Sequence, residues 1–287
     1  MLDVDRFWRD GFLVIPQVFD PAVVARWRQA AFDRESKRAD LLSDPVLQEV
    51  ILSERLISFA AAILDCERPV YFGDSTAEIG RNGWGFHKDN SDRLDGNAPD
   101  WKTARYPIIR FGIYTKHHGQ DEPGAIEFRR GSHLIPDYTS GERHAVTTRP
   151  GDVVVWNSRT THSGNARIAR VFGWRPMPDN ASITFRVLRK TGAENWLMKT
   201  ERETRVAIFA SYGKDDPLLH RHVEYLKTRA YAWEGWKASS WTEEAKATAA
   251  QRGLDLIDPT GFEWDGSPLN VMWAPIPYEL PERRLPA

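Results

Sequence analysis

Apolar and polar positions along the chain fall into three successive patterns. Residues 3 to 10 place apolar side chains at helical spacing and stop at Gly11, a residue suited to the left-handed turn that closes a helix. The next stretch, "FLVIPQVF", is apolar and β-branched, which predicts a strand. Asp20-Pro21 then marks a helix start: the carboxylate can cap free amides, proline suits the first helical position, and "AVVARWRQAAFDRES" follows at helical period. A second helical stretch is predicted over roughly 45–64, "PVLQEVILSERLISFAAAIL". From about residue 69 to 213 the texture changes to short β-rich runs: "PVYFG", "YPIIRFGIYT", "GAIEFRRGS", "DVVVWNSRT", "SITFRVLRK" and "RVAIFASYG". Separated by Gly, Pro, Asp and Asn, they predict a barrel or a sandwich. After Asp216-Pro217 the helical period returns, with Leu219, Val223, Leu226 and Ala230 on one face, and beyond 255 proline and tryptophan predict a tail laid over the surface. The expected organisation is one domain: helical support over about 1–68, a β core over about 69–213, then a helix and tail over 214–287.

Composition narrows the function classes. With 287 residues and 41% hydrophobic content the chain can bury a sizeable core. Lys+Arg 39 against Asp+Glu 40 leaves a formal charge of -1, so no global field draws in nucleic acid, and a charged ligand must be held locally. The one cysteine, Cys66, excludes an internal disulfide and any thiolate-rich metal site, which fits a reducing cytoplasm. The start lacks a basic region followed by a long apolar run, and no transmembrane segment is expected.

The chemistry concentrates in "WGFHKDNSD". On a strand, residues i and i+2 share a face, so His87 and Asp89 can address one ion while Lys88 points away. A facial triad for ferrous iron needs one more neutral ligand and must leave corners open for cosubstrate and oxygen. Of the eight histidines, His162 is best placed, at the polar exit of the buried-looking strand in "PGDVVVWNSRTTHSGN". His133 in "RRGSHLIP" and the pair His117-His118 compete, the pair less well because "KHHGQDEPG" reads as a solvated hairpin turn. His220 and His222 read as solvated residues on the polar side of a helix.

Four segments together resemble the phytanoyl-CoA dioxygenase-like family of iron(II)- and 2-oxoglutarate-dependent oxygenases: "FWRDGFLVIPQVFDPAVVARWR", "GFHKDN", "DEPGAIEFRRGSHL" and "PGDVVVWNSRTTHSGN". The likeness spans about residues 5 to 213. It implies a mainly β fold with flanking helices around a double-stranded β-helix, or jelly roll, in which His87, Asp89 and His162 hold iron and His133 is structural. It also implies an arginine after the distal histidine whose fork pairs with the far carboxylate of 2-oxoglutarate. The usual gap of about ten residues is not kept: Arg170 and Arg175 lie near that distance in the Gly- and Pro-broken "ARVFGWRPMP". Arg205, leading "RVAIFASYG", has the expected setting across an insertion of roughly thirty residues. Arg186 within "SITFRVLRK" is its rival, with others such as Arg110 behind.

The resemblance further implies that a small-molecule substrate is hydroxylated with dioxygen while 2-oxoglutarate yields succinate and CO2. In related halogenases a small residue replaces the carboxylate; Asp89 is present, which favours hydroxylation, desaturation or ring closure. Tyr71, Asp74, Arg81, Trp84 and Trp156 are candidates to line the pocket, Trp156 on the cofactor's side. The insertion over 166–204 is locally basic, as a lid over an anionic or sugar-like substrate would be. A polar metabolite, a sugar or a lipid-linked saccharide, is the leading substrate class. A cupin-type isomerase would favour an H-x-H motif on a strand of the barrel; none occurs over 69–213, and His220-Arg221-His222 falls on the helix that follows. A non-catalytic or sensing member of the fold would be marked by loss of a ligand or displacement of the arginine.

Overall fold

The structure, a computed structural model, describes residues 2–80, 85–119, 123–164, 170, 190–197, 204–264, 266 and 269. Helix α1 (Val4–Asp10) is capped by Asp3, whose carboxylate accepts the Arg6 amide, and is closed by Gly11 at φ 86°. A Cβ on Gly11 would lie 2.5 Å from His133 Nδ1, so this turn needs glycine twice over: for its backbone and for its neighbour. The predicted strand β1 (Phe12–Ile15) and helix α2 (Pro21–Asp33), capped by Asp20 on the Ala22 amide, follow. The single helix expected over 45–64 is instead split. A 3-10 turn (Leu41–Ser43) and short α3 (Gln48–Ile51) precede α4 (Glu54–Leu64). Ser53 breaks the run: its backbone is extended (ψ 117°) and its hydroxyl accepts the Leu56 amide, the local side-chain bonding by which serine competes with helix.

The strands are β2 (Val70–Ile79), β3 (Ile108–Tyr114), β4 (Glu127–Arg129), β5 (Arg143–Ala145), β6 (Val153–Asn157), β7 (His162–Ser163), β8 (Val206–Gly213) and β9 (Asp255–Leu256). They form a six-stranded sheet, β1-β6-β3-β8-β2-β9, and a three-stranded sheet, β5-β4-β7. Two of the larger sheet's strands come from outside the expected β core: β1 pairs antiparallel with β6, and β9 adds a parallel edge to β2. Among the described residues the remaining α-helices are α5 (Ala193–Leu197), α6 (Pro217–Lys227), α7 (Ala230–Lys237) and α8 (Glu243–Gln251). Most of "SITFRVLRK", and nearly all of the tail beyond 264, lie outside the described residues.

Alternation divides the core. Ile109, Phe111, Ile113, Val153, Val155 and Ile208 belong to one buried cluster with the N-terminal helices, while Val154, Trp156, Tyr114 and Phe209 belong to another with Phe12 and Phe128. Each such fully buried side chain contributes about 1.5–3 kcal/mol of transfer free energy. Tyr71, a candidate pocket residue by sequence, belongs to the first cluster. Its hydroxyl donates to the buried Asp40 carboxylate, which also accepts Ser75 Oγ (2.6 Å), Trp241 Nε1 (3.0 Å) and the Leu42 amide (2.9 Å). That carboxylate ties the N-terminal segment, β2 and the residues before α8 together.

His133 fastens α1 to the β core. Its Nε2 donates to the Trp8 carbonyl (2.9 Å), and burial lowers its pKa to about 4. Its Nδ1 is buried without a hydrogen-bond partner among the described residues, so a second proton there has nowhere to go. Because the folded pKa lies below the unfolded value of about 6.5, His133 costs nothing above that pH and destabilises progressively as pH falls toward 4. Denaturant unfolding at pH 7 and pH 4.5 should show wild type losing on the order of 2–3 kcal/mol more than His133→Gln. Equal losses would contradict this assignment.

Candidate metal centre and its cavity

Sheet pairing brings two distant segments together. His162 in β7 pairs on one side with Phe128 of β4. On its other side the segment around His87 joins as an antiparallel neighbour: the His87 amide donates to the His162 carbonyl at 3.0 Å and the reverse bond is 2.9 Å. Directly opposed residues of such a pair project to the same face, as do residues i and i+2, so both imidazoles and the Asp89 carboxylate converge. His87 Nε2 lies 3.6 Å from Asp89 Oδ1, and His162 Nε2 lies 3.5 Å from Asp89 Oδ2. One donor atom from each of the three residues lies within 4.8 Å of the others. Metal bonds of about 2.1 Å put adjacent corners about 3 Å apart, so one ion suits this cluster. Lys88 points the other way, its Nζ donating to the Ser132 (2.6 Å) and Arg159 (2.7 Å) carbonyls.

The protonation pattern also suits a cation. His87 Nδ1 meets the Gly85 carbonyl at 2.9 Å and His162 Nδ1 meets the Thr160 carbonyl at 3.0 Å. A carbonyl only accepts, so each ring carries its proton on Nδ1 and turns the Nε2 lone pair toward Asp89. Burial, aided by the neighbouring His162, lowers the His87 pKa to about 4, and burial lowers that of His162 as well. For Asp89 burial pushes upward, but His162, Arg110, His87 and Arg93 together outweigh it and hold the carboxyl well below its usual range. Two neutral imidazoles and one carboxylate result at neutral pH.

Arg205 is buried, 1% exposed, at the start of β8. Its guanidinium sits 5.6 Å from the Tyr114 ring centre and 3.8 Å from the Glu78 carboxylate, and a Cβ on Gly164 would lie 3.3 Å from its Nη2. It therefore packs beside Gly164, the residue two past His162. The Tyr114 hydroxyl beside it is buried with no hydrogen-bond partner among the described residues, as is Nε1 of Trp156, whose ring lies 5.2 Å from that of His162. Arg186, Arg81 and Trp84 lie outside the described residues.

A cavity of about 620 Å³ opens beside Asp89, walled by Asp74, Thr76 and Glu78 of β2, by Arg93 and Arg110, and by His222, Tyr231 and Trp236 of α6 and α7. His222 corrects the expectation of a solvated residue: it is 3% exposed, its Nδ1 meets Ser91 Oγ at 3.2 Å, and its ring stands edge-on to Phe72. The signal was present, since position 222 is three after Leu219 and four before Leu226, on the helix's apolar face. His220 is half-exposed, near Asp215. His118 is a second correction. The expected solvated turn instead forms a bridge with Thr148 that buries His118 against Tyr114, while His117 is exposed. Arg93 has no periodic signal, and what brings it to the cavity is its contact with Tyr225 Oη (2.7 Å) across the chain.

No protein-family profile matches the sequence, and no curated protein matches it. Among solved structures the chain is similar to the "non-heme alpha ketoglutarate dependent epimerase SnoN from nogalamycin biosynthesis", at 16% identity over 74% of this chain and 81% of that one, with TM-score 0.50. It is also similar to HygX from Streptomyces hygroscopicus with nickel and 2-oxoglutarate bound, at 19% identity over 75% and 88% with TM-score 0.51. HygX with iron bound gives 20% identity over 75% and 88% with TM-score 0.50. Identity at this level defines the fold. The protein has a double-stranded β-helix core with flanking helices, shared with non-haem 2-oxoglutarate-dependent enzymes. Among the described residues no helix is long and apolar enough to cross a membrane.

Proposed function

We propose that the chain is an iron(II)- and 2-oxoglutarate-dependent dioxygenase of the phytanoyl-CoA dioxygenase-like type, hydroxylating an unactivated C–H bond of a polar small metabolite. The observation that carries the proposal is the convergence of His87, Asp89 and His162 with both imidazole protons tied to backbone carbonyls. That donor set fits a ferrous ion with corners left for a chelating cosubstrate and dioxygen. The match of the fold to HygX holding nickel and 2-oxoglutarate supports the same pairing here. Arg205 is the cation for the far carboxylate, with the Tyr114 hydroxyl available as a second donor and Trp156 along the cosubstrate's flank.

When bound, the iron supplies the oxidising chemistry: dioxygen cleaves 2-oxoglutarate to succinate and CO2, one oxygen atom entering succinate and the other the substrate as hydroxyl. The chain's own residues keep two ligands neutral and one anionic, fix them on paired backbone, and back His162 with the buried rings of Phe128 and Trp156. Hydrogen-bonding groups of both signs in the lining, Asp74, Thr76, Glu78, Arg93 and Arg110 among them, suit a hydroxyl-rich metabolite, a sugar or lipid-linked saccharide, in the cavity.

Under air, with iron(II) and 2-oxoglutarate, wild type should release succinate above a metal-free control, and more when a matching metabolite is added, whereas His162→Ala should release none. Iron-loaded wild type that forms no succinate would refute the reading. A product one oxygen atom heavier than its substrate marks hydroxylation; a product of unchanged mass would mark an epimerisation of the sort named for SnoN and reject it.

A further inference from the structure

We propose that Arg110 is a positioning residue that restrains Asp89, so that one of its two carboxylate oxygens is withheld from the metal; this rests on the metal-centre reading above. Arg110 sits in the middle of β3, with Trp156 of β6 and Ser211 of β8 as its cross-strand partners. Its Nη1 stands 3.8 Å from Asp89 Oδ2 and 3.4 Å from Asp74 Oδ2, and its guanidinium lies over the Phe209 ring at 5.5 Å. Ser211 Oγ donates to the same Asp74 oxygen at 2.5 Å. A chain of contacts thus runs from a hydroxyl on β8 through Asp74 of β2 and Arg110 of β3 to the carboxylate of the H-x-D motif. All three strands belong to the larger sheet, so the guanidinium's position is set by the most extensively paired part of the fold.

The physical consequence concerns Asp89. A carboxylate can bind a cation through one oxygen or both, and two-oxygen binding would occupy a corner that a chelating cosubstrate needs. A guanidinium drawing on Oδ2 competes with the ion for that oxygen and leaves Oδ1, on the His87 side, as the ligand. Both contacts are made by the one nitrogen Nη1, and the planar guanidinium lying over the Phe209 ring fixes where that nitrogen points, which a flexible ammonium would not reproduce. Arg110 is distinct from Arg205, which stands beside Tyr114 and Gly164.

Cobalt(II) is the probe, added to metal-stripped full-length protein and read by its ligand-field absorption before and after 2-oxoglutarate. Arg110→Met and Asp74→Asn should bind cobalt no more than about threefold less tightly than wild type, yet show an altered cobalt spectrum and at least tenfold weaker 2-oxoglutarate uptake. Arg110→Lys should fall between. Asp74→Asn keeps the acceptor for Ser211 and stands in if Arg110→Met does not fold. Arg205→Met should weaken uptake while leaving the cobalt spectrum before 2-oxoglutarate unchanged. Cobalt spectra of the Arg110 and Asp74 variants that superimpose on wild type would overturn this proposal alone. Wild type without cobalt bands that depend on His87 would overturn the metal-centre reading and this proposal with it.

Discussion

Arg205→Met should raise the 2-oxoglutarate concentration needed for half-maximal succinate release by roughly 30-fold to several thousandfold. The range follows from truncating one partner of a buried, hydrogen-bonded charge pair, which costs about 2–5 kcal/mol, with each 1.4 kcal/mol worth a factor of ten. The effect should fall mainly on the cosubstrate's KM, because Arg205 stands next to Tyr114 and Gly164 and is not among the residues that wall the cavity beside Asp89. Arg205→Lys should recover part of the loss, since it keeps the charge and gives up the fork. Tyr114→Phe, which removes a single donor, should cost less than Arg205→Met. Arg186→Ala is the comparison that matters: a larger rise in cosubstrate requirement there than for Arg205→Met would reject the assignment.

Local signals account for much of the framework. Gly11 ends α1 and Asp20-Pro21 opens α2 because a left-handed turn and a preset first helical residue are properties of a few adjacent atoms. The i, i+2 placement of His87 and Asp89 follows from strand geometry alone, as does the opposite direction of Lys88. What sequence cannot supply is which strand lies beside which. The pairing of His87 with His162 is a contact across 75 positions, carried by two backbone hydrogen bonds that leave no mark on either segment. The same holds for β1 and β9, which read as parts of the flanks and prove to be edges of the larger sheet. Arg110 is legible as a strand arginine, yet its two carboxylate partners arrive from 36 residues upstream and from the metal motif. His222 was hidden by its residue type: its place on the apolar helix face predicted burial better than its polarity predicted exposure. Likewise Ser53 splits a stretch whose apolar period runs through it, because a hydroxyl that caps the following turn outweighs the period of its neighbours.

The largest effect expected of any substitution is at the candidate ligands themselves. His87 and Asp89 present donor atoms to one point from a single short segment, and His162 closes the set from the other side. Removing either of the first two leaves two donors, too few to fix an ion and hold its open corners in place. Neither substitution should unfold the chain, since the segment's backbone bonds to His162 and Ser158 do not need those side chains. The measurement that bears most directly on this centre is an anaerobic titration of the protein with iron(II) and 2-oxoglutarate, followed by visible absorption. Wild type should develop a weak charge-transfer band that saturates at one iron per chain, and both His87→Ala and Asp89→Ala, folded by circular dichroism, should lack it. No band in wild type, or one that survives in either variant, would contradict the account.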